Sequence, residues 1–146
     1  LDTTLRRIYV PGGASVVLSD TVGFIRDLPH DLVAAFRATL AEAGEADLLL
    51  HVIDAAHPCR DEQAAAVDAV LLEIGAERVP QIRVMNKIDA TALAAGAERD
   101  ESGTITTVRL SALTGVGCAE LRAALAERFP ADAPFSDARA MPVLDA

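Results

Sequence analysis

The chain has 146 residues, of which 51% are hydrophobic, and a formal net charge of −9 at pH 7. A chain of this length forms one domain with a sizeable core, and its hydrophobic content excludes a disordered polypeptide. The negative charge argues against a surface that grips nucleic-acid phosphates, so no direct DNA binding is expected. Cys59 and Cys118 lack metal-ligand spacing, and no apolar run approaches a membrane span, so a reducing cytoplasm is the expected location.

The first part of the chain predicts a hairpin, a helix and a buried strand. Two short β-branched runs at 5–10 and 15–19 flank a Pro-Gly-Gly turn, as in a hairpin. Apolar residues recur at helical spacing over 31–43 and are followed by Gly44, which predicts a helix and its end. The run at 48–53 is continuously apolar, which is typical of a strand covered on both faces.

The second part predicts alternating helices and strands, with helices over 61–74 and about 117–128 and strands over 81–85 and 105–110. This alternation implies an α/β fold with a mostly parallel sheet, helices on both faces and the first hairpin as an antiparallel edge. Residues 131–146, rich in proline and alanine, are predicted to be a tail or linker.

Three short polar motifs follow predicted strands. In open α/β sheets ligands bind beyond the carboxyl ends of the strands, so these motifs share one candidate edge. Each motif alone is also typical of an ordinary turn, loop or helix cap. Only one of the 13 basic residues is a lysine, and it falls within the second motif. The motifs are Asp20-Thr21-Val22-Gly23, Asn86-Lys87-Ile88-Asp89 and Ser111-Ala112-Leu113.

The chemistry of the second and third motifs fits a guanine base. The Asp89 carboxylate can accept hydrogen bonds from the base N1–H and N2–H groups, which adenine does not offer in that geometry. Asn86 can address the base edge and tie neighbouring loops together. The aliphatic stem of Lys87 can lie across the purine face while its charge stays in solvent. Backbone N–H groups near Ser111 and Ala112 are placed to meet the base oxygen.

The first motif fits the phosphate end of a nucleotide. Asp20 is expected to hold Mg²⁺, through water, because hard cations prefer oxygen ligands. The Gly23 amide is expected to approach the terminal phosphate, where a side chain would clash. The sequence therefore predicts a guanine-nucleotide and magnesium site along one edge of the sheet.

Longer segments around these motifs resemble the HflX family of ribosome-associated GTPases. The resemblance spans about residues 1–130, and it is carried by residues 1–7, 20–36, 49–55 and 84–89. It implies a P-loop GTPase-type three-layer sandwich that binds GTP or GDP with Mg²⁺, hydrolyses GTP and associates with the large ribosomal subunit. Residues 1–7 resemble the end of the family's first switch, which adds Leu1 and Asp2 to the nucleotide-binding candidates.

The sequence departs from that family's pattern in its phosphate-binding parts. A Walker A loop needs a lysine, and the only lysine is Lys87. The family's Mg²⁺-binding threonine would stand immediately before Leu1. The resemblance thus predicts a partial GTPase domain over 1–130 that lacks the phosphate-binding loop and the first, central strand, and that is inactive alone.

No catalytic residue is assigned from the sequence. Phe24 stands where many GTPases carry a water-positioning glutamine, and its ring cannot polarise water. His30 is a conceivable substitute, although a residue at a helix entry is the more ordinary interpretation. His51 and His57 are predicted to be packing or loop residues.

The absent central strand would lie between the strands at 15–19 and 48–53. Unpaired backbone groups on their edges are costly when buried and adhesive when exposed. The sequence therefore predicts either a gap in the sheet, or closure by pairing of the two edges with each other or with a second chain. Two other functions remain open at this point: a guanine-nucleotide-binding module without hydrolysis, and a protein-interaction scaffold.

Overall fold

A computed structural model describes residues 4–13, 15–20, 42–131 and 139–144. Within these ranges a single seven-stranded mixed sheet has the order β1-β2-β7-β3-β4-β6-β5. The strands are β1 (Thr4–Tyr9), β2 (Ser15–Asp20), β3 (Leu48–Asp54), β4 (Gln81–Asn86), β5 (Gly96–Arg99), β6 (Ile105–Arg109) and β7 (Arg139–Leu144).

Helix α1 (Arg60–Glu73) and helix α2 (Cys118–Arg128) cover opposite faces of this sheet. Alternate residues of a strand point to opposite faces. Leu49 therefore packs with Val67 and Leu71 of α1, whereas Leu48 belongs to the larger cluster that contains Leu125 of α2. This arrangement confirms the predicted fold class, a mostly parallel α/β sandwich with an antiparallel edge.

The predicted hairpin is present at that edge. β1 pairs antiparallel with β2, with partners from Thr4 and Asp20 to Tyr9 and Ser15. The predicted helix over 31–43 lies almost entirely outside the described residues, which resume with a 3-10 helix at Glu42–Glu45. No helix in the described ranges is long and apolar enough to cross a membrane.

The parallel strands β3, β4 and β6 determine where a ligand site can form. β3 and β4 are in register up to the pair Asp54 and Asn86, and β4 and β6 up to the pair Met85 and Arg109. Three neighbouring strands of the sheet thus end at nearly the same level. Polar residues that follow those ends are brought together at one edge of the sheet.

β5 was not predicted from the sequence. It pairs antiparallel with β6, and its short Gly-Ala-Glu-Arg sequence has none of the β-branched residues that mark a strand. Tertiary contacts hold it instead: Arg109 Nη1 donates to Glu98 Oε1 at 2.8 Å, and Arg99 Nη2 donates to Glu127 Oε1 at 2.7 Å.

The centre of the sheet corrects a second prediction. β7 lies between β2 and β3 and runs parallel to both, pairing Arg139 and Ala140 with β2 and Ala140 through Leu144 with β3. Neither a gap nor direct pairing of β2 with β3 is seen there. The cost of unpaired strand edges was identified correctly, but the partner was not: the chain's own later segment supplies it.

This strand also changes the interpretation of residues 131–146. Residues 139–144 of the predicted tail or linker are part of the central sheet. Pro142 concealed this, because a proline has no N–H to donate and is rare inside central strands. The pairing with β2 ends at Ala140, whereas the pairing with β3 continues to Leu144. A proline whose nitrogen faces β2 would produce this difference. The division at residue 130 into a domain and a tail stays a prediction.

Candidate functional site

The carboxyl ends of β3, β4 and β6 are fixed to one another by backbone hydrogen bonds beyond the strands. The Ala55 N–H donates to the Asn86 carbonyl at 2.9 Å, and the Leu110 N–H donates to the Met85 carbonyl at 2.9 Å. The Ile88 N–H donates to the Leu110 carbonyl at 3.3 Å. The segment 86–89 is therefore clamped between its two neighbours.

A left-handed residue turns the chain sharply at the end of β4. Lys87 has φ 66° and ψ 34°, and it is the one non-glycine residue with positive φ in the described ranges. Such a conformation costs a side-chain-bearing residue about 1–2 kcal/mol and concentrates at functional sites. Ile88, only 5% exposed, anchors the turn in the core and starts a 3-10 helix, Ile88–Ala90.

The turn directs Asn86 and Asp89 toward the segment that follows β6. Asn86 Oδ1 accepts a hydrogen bond from the Ala112 N–H at 3.0 Å, and Asp89 Oδ1 accepts one from Ser111 Oγ at 2.6 Å. Ser111 is fully buried, whereas Asp89 is exposed. A carboxylate has about four acceptor positions, so Asp89 retains capacity for a ligand while Ser111 fixes its orientation.

The loop after β6 is held by its own hydrogen bonds. The Ser111 N–H donates to the Val116 carbonyl at 2.8 Å, and the Gly115 N–H donates to the Ser111 carbonyl at 2.8 Å. Since the Ala112 N–H already bonds to Asn86, neither Ser111 nor Ala112 has a backbone donor free for a base oxygen in this arrangement. Their contribution here is to position Asn86 and Asp89.

Lys87 faces the opposite neighbour, β3. Its Nζ lies 3.0 Å from Asp54 Oδ2, in an ion pair whose side chains are 59% and 27% exposed. The ammonium is therefore paired with a carboxylate while the side chain stays largely exposed to solvent. Asp54 was not among the predicted site residues, although the signal used for the other motifs, a polar residue at the end of an apolar strand, was present.

The carboxylate of Asp54 is held in its charged form. Partial burial raises its pKa. The hydrogen bonds from Lys87 Nζ and the Ala56 N–H, together with the positive charge of Lys87, lower the pKa by more than burial raises it. The net result is a pKa below the ordinary 3.8. Asp54 is thus ionised at neutral pH.

The remaining predicted site residues are placed only in part. Asp20 is described by its backbone, at the carboxyl end of β2. Because β2, β7 and β3 are parallel, that end lies on the same edge as Asp54. Leu113 is 86% exposed and belongs to the loop after β6. The other predicted residues, Leu1, Asp2, Thr21, Val22 and Gly23, lie outside the described ranges, as do Phe24 and His30.

Two histidines match their prediction as packing and loop residues. His51 is fully buried on β3, with its Nδ1 3.9 Å from Asp68 Oδ1. His57 Nδ1 accepts a hydrogen bond from the Cys59 N–H at 3.0 Å, just before α1 begins. Across the described ranges there is no group of three or more His, Cys, Asp or Glu residues arranged to hold a metal ion.

Comparison with known proteins agrees with this arrangement. A family model described as 50S ribosome-binding GTPase matches residues 1–87. The GTPase HflX of Escherichia coli (strain K12) is 54% identical over 129 residues, which are 88% of this chain and 30% of that protein. The GTPase HflX of Magnetococcus marinus is 42% identical over 146 residues, 95% of this chain and 34% of that protein.

A third relative, the GTPase HflX of Caldanaerobacter subterraneus, is 56% identical over 89 residues, which are 61% of this chain and 21% of that protein. The chain thus spans about a third or less of the length of these curated relatives. The family model, however, matches more than half of the chain. The chain belongs to the 50S ribosome-binding GTPase family, with GTPases of the HflX type as its relatives.

Proposed function

We propose that this chain contributes the guanine-recognising part of a cytoplasmic GTPase that converts GTP to GDP and phosphate with Mg²⁺, in association with the large ribosomal subunit. The observation that carries the proposal is the convergence of Asn86, Asp89 and Ser111 at the ends of β4 and β6. The family description supports the ribosomal partner, and the names of the relatives support GTP hydrolysis.

Base selection follows from the orientation of Asp89. Ser111 donates to one carboxylate oxygen, which leaves acceptor positions for the N1–H and N2–H groups of guanine. Adenine carries no donor pair at that edge, so its nucleotides would leave the remaining acceptor positions of Asp89 unfilled once a bound base had displaced water from them. Charged acceptors form stronger hydrogen bonds than neutral ones, which makes an aspartate an effective reader of this edge.

The phosphate end is proposed on the side of β2. Mg²⁺ is usually bound through one or two carboxylates together with waters and phosphate oxygens, so a single aspartate at Asp20 fits the ion without a cluster of protein ligands. The ion would neutralise charge on the phosphates during hydrolysis. Thr21, Val22 and Gly23, together with Leu1 and Asp2, complete the proposed nucleotide contacts, and no residue is proposed as a general base.

The phosphate cradle is the part that this chain does not supply. Its only lysine, Lys87, is used at the base end of the site, so there is none for a Walker A loop. The isolated 146-residue chain is therefore expected to bind guanine nucleotides weakly and not to hydrolyse GTP. The hydrolysis step is tested separately, by multiple-turnover phosphate release from the protein in its full encoded length.

Replacing Asp89 by asparagine tests base selection. Asp89→Asn reverses an acceptor to a donor, and xanthine presents an oxygen where guanine presents N2–H. The ratio of xanthine to guanine nucleotide affinity should rise by about tenfold or more, since one hydrogen bond to a charged group accounts for at least that factor. Competition titrations of GDP, XDP and ADP against the full-length protein measure this ratio.

Glu127→Gln provides a matched control. It also converts a carboxylate to an amide, but in the ion pair with Arg99 at the opposite edge of the sheet. Its base preference should equal that of the wild-type protein. If Asp89→Asn also left the preference unchanged, Asp89 would not be part of the base site.

A further inference from the structure

We propose that Asp54 is a positioning residue for the guanine base, acting through Lys87; this inference rests on the proposed function. Asp54 lies at the end of β3, one strand away from the segment 86–89. Its Oδ2 holds the Lys87 ammonium at 3.0 Å. The pair fixes the direction of the lysine stem at the place where the base would lie.

The geometry around Asp54 is rigid enough to direct a long side chain. Asp54 Oδ1 accepts a hydrogen bond from the Ala56 N–H at 3.0 Å, so both carboxylate oxygens have defined partners. The next residue, Ala55, is 1% exposed and donates its N–H to the Asn86 carbonyl. The residues on either side of the ion pair are therefore tied to each other through the backbone.

Lys87 needs such a partner to serve as an apolar surface. A lysine has four rotatable side-chain bonds and loses substantial conformational freedom when it is held in one arrangement. Its methylene stem can cover apolar surface only if the ammonium has a polar destination at the far end. Asp54 supplies that destination before a nucleotide arrives, so binding need not order the side chain.

The three strand ends thus position residues for different parts of the base. Ser111, which follows β6, orients Asp89, and Asp89 addresses the base edge. Asp54, at the end of β3, orients Lys87, and the stem of Lys87 addresses the base face. Asp54 itself touches the lysine and not the base, which separates it from a contact residue.

A double-mutant cycle in the full-length protein tests this role. Asp54→Asn keeps an acceptor for the Ala56 N–H but removes the charge that holds Lys87. It should weaken GDP binding and raise KM for GTP by about two- to fivefold, the range expected for a partly exposed ion pair, with kcat unchanged. In a Lys87→Met background, which retains an apolar stem without the ammonium, Asp54→Asn should have no further effect.

The controls separate positioning from folding. Asp54→Glu keeps the charge and should recover most of the lost affinity, and Glu127→Gln should have no effect. If Asp54→Asn does not fold, as judged by thermal unfolding, Asp54→Ser replaces it, since a serine hydroxyl can still accept from the Ala56 N–H.

Each result decides the question. Equal affinities of wild type and Asp54→Asn, or an equal loss with and without the Lys87 ammonium, would overturn the positioning role. A wild-type protein that does not prefer GDP to ADP would instead contradict the proposed function. The double-mutant cycle would then have no guanine-specific affinity to analyse. The positioning role would be supported by a loss of GDP affinity in Asp54→Asn, its recovery in Asp54→Glu and no effect of Asp54→Asn in the Lys87→Met background.

Discussion

The loop that carries Ser111 depends on a glycine whose replacement has a calculable cost. Gly117 has φ 83° and lies against the end of β6. A Cβ added there would lie 2.9 Å from both Cα and Cβ of Leu110, and closer still to the Arg109 carbonyl oxygen. These are backbone atoms or atoms next to the backbone of a strand that is paired on both sides, so they cannot move aside cheaply.

Gly115 separates the two components of this cost. It has the same φ of 83°, but a Cβ added there would meet nothing within 4 Å. Gly115→Ala should therefore cost only the left-handed conformation, about 1 kcal/mol. Gly117→Ala adds a steric clash of about 2 kcal/mol, for a total near 3 kcal/mol. For a chain of this size, these values correspond to Tm decreases of about 3 °C and 10 °C.

Urea unfolding of both variants, with matched m-values, measures the difference. Gly117→Ala should also lower GDP affinity, because relief of the clash moves the loop that orients Asp89. Gly115→Ala should retain most of that affinity. Equal loss of stability in the two variants would refute the assignment of the extra cost to contact with Leu110 and Arg109.

Further predictions concern the base site, the central strand and acid stability. Ser111→Ala removes the donor to Asp89 and the acceptor of the Thr114 N–H, so urea unfolding should show a loss of about 2 kcal/mol and titration a weaker affinity for GDP. Pro142→Val restores an N–H in β7 and should add about 1 kcal/mol in the same unfolding assay, with GDP affinity unchanged. The folded-state pKa of Asp54 is lowered, so the ionised carboxylate contributes fully to the stability of the fold at neutral pH. This contribution is lost as the pH falls through the folded-state pKa. The stability difference between wild type and Asp54→Asn should be constant from pH 7 to about pH 5 and shrink below about pH 4; a difference that grows with acidity would contradict the sign.

Much of the sheet could be predicted from local pattern. The apolar run at 48–53 and the hairpin around Pro11-Gly12-Gly13 carry their structure in their own residues, and both were found. The same logic placed two polar motifs at adjacent strand ends, where Asn86 and Asp89 now meet the loop after β6. These successes share one cause: strand identity and strand direction together determine the edge at which a motif emerges.

The misses all depend on pairing partners that local propensity does not report, and two of them join segments far apart in the chain. β5 is a strand because β6 lies beside it, and β7 is a strand because β2 and β3 leave their edges unpaired. Local propensity reports neither condition, and Pro142 points the other way. The ion pair between Asp54 and Lys87 joins residues 33 positions apart, so no spacing rule links them. The sequence analysis singled out Lys87 but not Asp54, and it could not show that the two side chains meet.

The sheet order also shows which parts of the proposed site are coupled. The residues of the proposed base site lie at or just after the ends of β3, β4 and β6, all on one side of β7, whereas Asp20 ends β2 on the other side. Neighbouring strands lie about 4.8 Å apart, so a strand between β2 and β3 keeps their ends about 10 Å apart rather than about 5 Å. The strand in that position therefore separates the proposed phosphate end of the site from the proposed base end. A change that displaces it would alter how a nucleotide's phosphates reach Asp20, while the contacts of Asp89 with Ser111 and of Lys87 with Asp54, which do not involve β7, would persist.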